Sequence, residues 1–215
     1  MKIQLKKQEP KKRSGDFRYK KEALALVIAV LIALIVLILT SGSPGTPQTN
    51  QTAVNQTPEQ INTKIYSAGG IYLEYPESWK VTTDEKEDKN VQVVIQDPTS
   101  ANNPNSTQAA GFTVFKVQKD PYETVEQRKD SFIEGIKSSG ANINEIYSNN
   151  TNINGINAVE KVYDGTGPKN EKIQLKVIYF EQSDIIYILA CLTKGMPLEN
   201  QKANFDVIIN SFKLQ

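Results

Sequence analysis

The 215-residue chain has no histidine and one cysteine, Cys191. Both absences hold whatever the fold. Without imidazole there is no Ser-His-Asp or Cys-His catalysis, no imidazole acid–base chemistry and no histidine metal ligand. A single thiol builds neither a thiolate zinc site nor an internal disulfide. Cys191 lies in the apolar run IIYILACLT, which predicts a buried, inert thiol. The folded part must therefore stand on its own apolar core, and roughly 150 residues are enough for one.

Net charge is also scarce, at +1 overall, but that value hides an asymmetry. Residues 1–22 carry nine Lys/Arg against Glu9, Asp16 and Glu22, a local charge of +6 that leaves −5 for the remainder. A mildly acidic remainder argues against nucleic acid as its partner.

The one long hydrophobic run is ALALVIAVLIALIVLIL, residues 23–39, without charge, proline, glycine or hydroxyl. Its helix would reach roughly 26 Å, close to a ~30 Å hydrocarbon core, and Thr40 and Ser41 extend it. The expectation is a signal-anchor transmembrane helix over residues 23–40 contacting membrane lipid. By the positive-inside bias, the basic leader 1–22 is cytoplasmic and the C-terminal part extracytoplasmic. A cleaved signal peptide is the rival reading. Against it stand the long leader, the length of the run and the lack of an A-x-A-like site. No cysteine follows the run to accept lipid.

Residues 41–62 are rich in Ser, Thr, Pro, Asn and Gln and nearly free of apolar residues. They are expected to form a disordered stalk, roughly 70 Å long if extended. Asn50 and Asn55 head N-x-T sequons here, and Asn105 and Asn149 head two more, so all four are glycosylation candidates.

From residue 63 onward short alternating segments take over. Residues 70–76 alternate Ile71, Leu73 and Tyr75 with Tyr72 and Glu74, as a half-buried strand does, and Pro76 stops it. Further strands are expected from Trp79, over 91–96 and over 111–117. Asp120-Pro121-Tyr122-Glu123 reads as a helix start with Asp120 as cap, Pro121 in the first turn and Glu123 completing a capping box. Val125, Phe132, Ile133 and Ile136 share a face of that helix, and Gly140 ends it. Asn154-Gly155 signals a hairpin between strands 151–153 and 156–163. Strands 173–180 and 185–193 form another hairpin around residues 181–184. The second of these is apolar on both faces and should be central. A last helix after Pro197 places Leu198, Phe205, Ile208, Ile209 and Phe212 at helical spacing. The pattern predicts an α+β fold, a mostly antiparallel sheet flanked by helices and preceded by one transmembrane helix.

Three stretches carry a family resemblance over residues 63–215. GIYLEYPESWKV is similar to the opening strand of PsbP-like domains, NINGINAVEKVYD resembles their hairpin-and-strand middle, and FDVIINSFKL is similar to their closing helix with Ser-Phe at its exit. The resemblance implies a sheet sandwiched between helices. The chain departs from the photosynthetic members in its anchor and Asn-rich stalk. It also lacks any histidine with which to match a family metal site. A photosystem role is therefore not implied.

Candidate chemistry is sparse. Asp84, Glu85, Glu87 and Asp88 in TTDEKEDKN could ligate a hard cation such as Ca²⁺, though Lys86 and Lys89 are interleaved and the EF-hand spacing is absent. Asp97, Asn102, Asn103 and Asn105 offer further oxygens in a surface-loop composition. Asp164-Gly165-Thr166-Gly167-Pro168 lacks the Lys-Ser/Thr of a phosphate loop and reads as a turn. Carboxylate-only hydrolysis needs two acids converging on one cleft, and no pair stands out. The expected function is a non-catalytic accessory or interaction module for a membrane or envelope component, with a protein partner near the outer membrane face. A Ca²⁺- or small-ligand-binding sensor is the alternative, and a carboxylate-dependent hydrolase comes third. No catalytic residue and no cofactor other than calcium is expected.

Overall fold

The computed structural model describes residues 61–82, 90–98 and 107–215. The basic leader, the apolar run 23–40 and the stalk up to residue 60 lie outside the described residues. Among those described, no helix is long and apolar enough to cross a membrane.

Among the described residues ten strands and two helices follow in the order β1 (Thr63–Ala68), β2 (Ile71–Pro76), β3 (Lys80–Val81), β4 (Val91–Gln96), β5 (Ala109–Gln118), α1 (Val125–Ser138), β6 (Asn142–Ile153), β7 (Ile156–Thr166), β8 (Lys172–Gln182), β9 (Ile185–Lys194), α2 (Lys202–Ser211) and β10 (Lys213–Leu214). A short 3-10 turn, Leu198–Gln201, leads into α2. The main sheet has seven strands in the order β3-β4-β5-β9-β8-β7-β6, all antiparallel. A second sheet, β1-β2-β10, is also antiparallel. The expected α+β architecture is present, and β9 is the middle strand of the seven.

Strand alternation makes two cores, one on each face. On β9, Ile186, Ile188 and Ala190 point to one face and Tyr187, Leu189 and Cys191 to the other. The first face is covered by α1 through Phe132, Ile133 and Ile136, with Phe132 edge-on to Phe115 at 5.2 Å. The second is covered by α2 together with the small sheet, through Phe205, Ile208, Ile71 and Leu73. Trp79 packs beneath this layer, edge-on to Phe205 at 5.6 Å. Ser211 at the end of α2 accepts the Glu74 N–H at 2.7 Å and donates to Val207 O, which ties the helix to β2.

Several local expectations need correction. Helix α1 is capped by Thr124, four residues after the expected Asp120. The Thr124 side chain accepts from the Gln127 N–H while Gln127 Oε1 accepts from the Thr124 N–H, a complete capping box. Asp120 instead closes a turn, accepting the Tyr122 N–H on its side chain and the Glu123 N–H on its carbonyl. Glu123 is committed elsewhere, to a buried ion pair with Arg128 at 2.6 Å. Gly140 does end the helix, at φ +97, a conformation costly for residues with a Cβ.

Strand β6 is much longer than residues 151–153. It is exposed along most of its length and carries a bulge between Glu145 and Tyr147. The bulge shifts the side-chain phase, so Ile143 joins the α1-side core and Ile153 the α2-side core. A phase break in a solvated strand removes the alternation by which strands are read. Asn154-Gly155 makes the hairpin turn with φ +50 and +90, as a type I′ turn requires. Residues 164–166 continue β7 and do not form a turn. A Cβ at Gly165 would lie 2.0 Å from Asn142 O, so glycine there permits close strand approach. Glu181 and Gln182 belong to β8, leaving a two-residue turn at Ser183-Asp184. Helix α2 begins at Lys202, and Phe212, although fully buried, lies just past its end, where the chain turns to pair β10 with β2.

Candidate functional site

The α2 face of the main sheet is only partly covered. Along β8 the residues on this face are Gln174 and Lys176 at one end and Ile178 and Phe180 at the other. Ile178 and Phe180 lie in the core. Gln174 and Lys176 lie beyond α2 and line an open groove of about 390 Å³ with Ile146, Val162, Leu198 and Phe205. The polarity of the sheet therefore changes where its cover stops.

The groove has an apolar floor and a charged rim. Lys176 pairs with Glu160 at 3.4 Å, Lys202 pairs with Asp206 one helical turn away, and Glu199 stands exposed at the mouth. Gln174 spans the groove wall, donating to Asp164 Oδ1 and accepting the Leu198 N–H, both at 2.8 Å. That second bond holds the 3-10 turn against β8. Ile146, in the β6 bulge, leaves 60% of its surface in solvent at the groove's end. Such a surface suits apolar side chains of a partner flanked by polar contacts.

The other face holds a charge network that sequence reading missed. Lys129 and Lys161 share Glu126, and Lys161 also reaches Glu145 at 3.1 Å. Asp130 contacts Lys129 at 3.0 Å, and Tyr179 donates to Glu126 at 3.2 Å. Hydrogen bonding to Lys129 holds the Glu126 carboxyl below its usual range, outweighing partial burial. Burial opposes the Lys129 charge, but its bonds to Glu126 and Asp130 prevail and raise its pKa. Burial pushes the Tyr163 phenol up to about 12, aided by the nearby Glu145. Glu126 and Glu145 are two acids converging on one place, but Lys161 lies between them. Glu126 is held ionised, which makes it a poor proton donor for glycosidase-type chemistry. The arrangement ties α1 to β6, β7 and β8 through paired charges and the Tyr179 hydrogen bond.

The sequence-chosen residues are distributed differently. Asp84, Glu85, Glu87 and Asp88 lie outside the described residues, as do Asn50, Asn55, Asn102, Asn103 and Asn105. Among the described residues no group of three or more acidic or cysteine side chains could hold a metal. Asp97 follows β4 with its N–H on Ala110 O at 3.1 Å. Asn149 is exposed on β6. Cys191 is buried in the α2-side core as expected, and burial pushes its thiol far above the ordinary value, which disfavours the reactive thiolate. The groove residues carried no sequence signal, because Ile146, Glu160, Gln174, Leu198 and Asp206 are brought together only by tertiary packing.

The family model described as PsbP-like protein matches residues 23–214, and the chain belongs to this family. The match starts at the first residue of the apolar run. The cyanobacterial PsbP of Synechocystis sp. PCC 6803 superposes with a TM-score of 0.51 at 15% identity, over 76% of this chain and 98% of that one. The Ran-binding protein Mog1p of Saccharomyces cerevisiae superposes with 0.48 at 9% identity, over 72% and 96%. PA94 of Pseudomonas aeruginosa, a protein of unknown function, gives 0.42 at 14% identity, over 67% and 91%. At such identities the likeness is one of fold, which does not by itself carry function. No curated protein matches the chain by sequence.

Proposed function

We propose that this chain is a single-pass, membrane-anchored accessory protein whose PsbP-like domain binds a protein component of the cell envelope on the extracytoplasmic side. The observation that carries this reading is the half-covered α2 face, where Ile146, Val162, Leu198 and Phe205 form an apolar floor inside a ring of charges. Family membership and the basic leader before residues 23–40 support the module and its address. The chain acts without catalysis of its own, as a docking element held near the bilayer.

Photocrosslinking in intact membranes tests this. A photoreactive residue in place of Glu199, at the groove mouth, is expected to yield a discrete adduct with an envelope protein. The same residue in place of Lys64, on exposed β1, should not. Leu198→Glu should abolish the Glu199 adduct. No adduct above the Lys64 control, or one unaffected by Leu198→Glu, would remove the groove as the docking surface.

A further inference from the structure

The main sheet ends in β3, two residues long, on one side and in β6, twelve residues long, on the other. An edge strand presents N–H and C=O groups turned away from its single neighbour. Folds usually blunt such rows with lysine, proline, brevity or a bulge. On β6 the bulge and the one charged residue, Glu145, lie on the side away from the hairpin turn. From residue 146 to residue 156 there is no charge and no proline. Ser148, Asn149, Asn150 and Asn152 are all exposed.

The register decides which groups face outward. Ile153 and Ile156 flank a two-residue turn, which makes them a mutually hydrogen-bonded pair. Such pairs recur at every second position: Thr151 with Ala158, Asn149 with Glu160, Tyr147 with Val162. The backbone groups of Ser148, Asn150 and Asn152 therefore point away from β7. No other backbone partner reaches them among the described residues. The three positions are evenly spaced about Asn150.

We propose that this edge pairs with the same edge of a second copy of the chain, antiparallel about a two-fold axis at Asn150. In that register Asn150 meets its counterpart and Ser148 meets the copy's Asn152, so the outward groups close about six backbone hydrogen bonds. On the α2 side, Asn149 faces the copy's Thr151, and the exposed Tyr147 lies opposite the copy's Ile153. No like charges meet, and this favours a copy as the occupant. A strand with charges of its own would bring them against an edge that has none to answer them. Strand pairing alone buries little beside the roughly 1,600 Å² of a standard interface. The association is thus expected to be weak in solution and to depend on both copies sharing a bilayer. That dependence rests on the anchor proposed above; the edge geometry does not.

The test uses the full chain in phosphatidylcholine vesicles. Asn150→Cys should form an inter-copy disulfide under mild oxidation, since paired strands place these Cα atoms about 5.5 Å apart. Lys80→Cys, on the opposite edge, should not, and the buried Cys191 does not compete. Asn150→Lys and Asn150→Glu should each weaken association roughly fivefold, read by energy transfer between labelled copies. Mixing the two should restore it, which misfolding would not. Crosslinking at position 150 no greater than at position 80 would overturn the proposal. So would Asn150→Lys without effect, a mixture that fails to recover, or a glycan on the native Asn149 beside the axis. Capture of a different protein at position 150 in native membranes would also overturn it. The Glu199 adduct is independent of all these outcomes.

Discussion

The two faces of the seven-stranded sheet are built by the same alternation but closed in different ways. The α1 face is covered by one helix, with Phe132, Ile133 and Ile136 as its apolar stripe, the Glu126–Lys129–Lys161–Glu145 network along its margin and an open, more polar groove of about 400 Å³ beside it. The α2 face is roofed by a helix and a separate small sheet, and the roof stops short of the Gln174–Lys176 end of β8 and the adjoining Val162 and Ile146 on β7 and β6. Charges on both faces pair with one another. On the second, a charged rim surrounds apolar surface left open. The difference lies in the lining: the groove beside α1 is bordered mainly by polar and charged side chains, and the one beside α2 exposes more apolar surface.

The largest test of this contrast is Phe132→Ala. Removing a fully buried ring that anchors α1 to Phe115 should cost about 3–5 kcal/mol in chemical denaturation. Hydrogen-exchange protection should fall further in α1 than in α2, because α2 is also held through β2 and β10. Equal loss in both helices would mean that the faces are not separately secured.

A smaller effect is expected at the start of α1. Glu123→Ala leaves the Arg128 guanidinium buried without this carboxylate, at a cost of about 3 kcal/mol. Replacing both together, Glu123→Leu with Arg128→Met, should recover most of that loss, since an apolar pair avoids desolvating two charges. A double variant as unstable as the single one would show that the pair has a role beyond mutual neutralisation.

The smallest concerns pH. The Glu126 carboxyl is lowered in the folded state, so its charge stabilises the fold above the ordinary carboxylate range. That contribution is lost as pH falls through the folded value. Because Glu126 is largely exposed, Glu126→Gln should cost no more than about 1 kcal/mol at neutral pH. Melting curves of the two proteins should converge as acid protonates the wild-type carboxyl. A gap that persists in strong acid would assign the effect to packing.

Legibility in the sequence followed burial. β9 was readable because its residues are apolar on both faces, and β2 because Ile71 and Leu73 alternate with half-exposed neighbours. The hairpin at Asn154-Gly155 was readable because a type I′ turn demands residues tolerant of positive φ. β6 and β1 were largely invisible, since solvated edges need no alternation and the bulge breaks what phase there is. The capping of α1 was misplaced because Asp120 and Thr124 both head plausible boxes. The choice between them was made by Glu123, drawn into its pair with Arg128.

By itself the sequence determined the exclusions, the class of fold and the family, because these depend on which residues are present and on local periodicity. It also set out a charge asymmetry and a 17-residue apolar run. Tertiary structure alone decided which surfaces stay open. The groove and the open edge of β6 arise from where α2 stops and which strand comes last, and pairing among distant segments sets both.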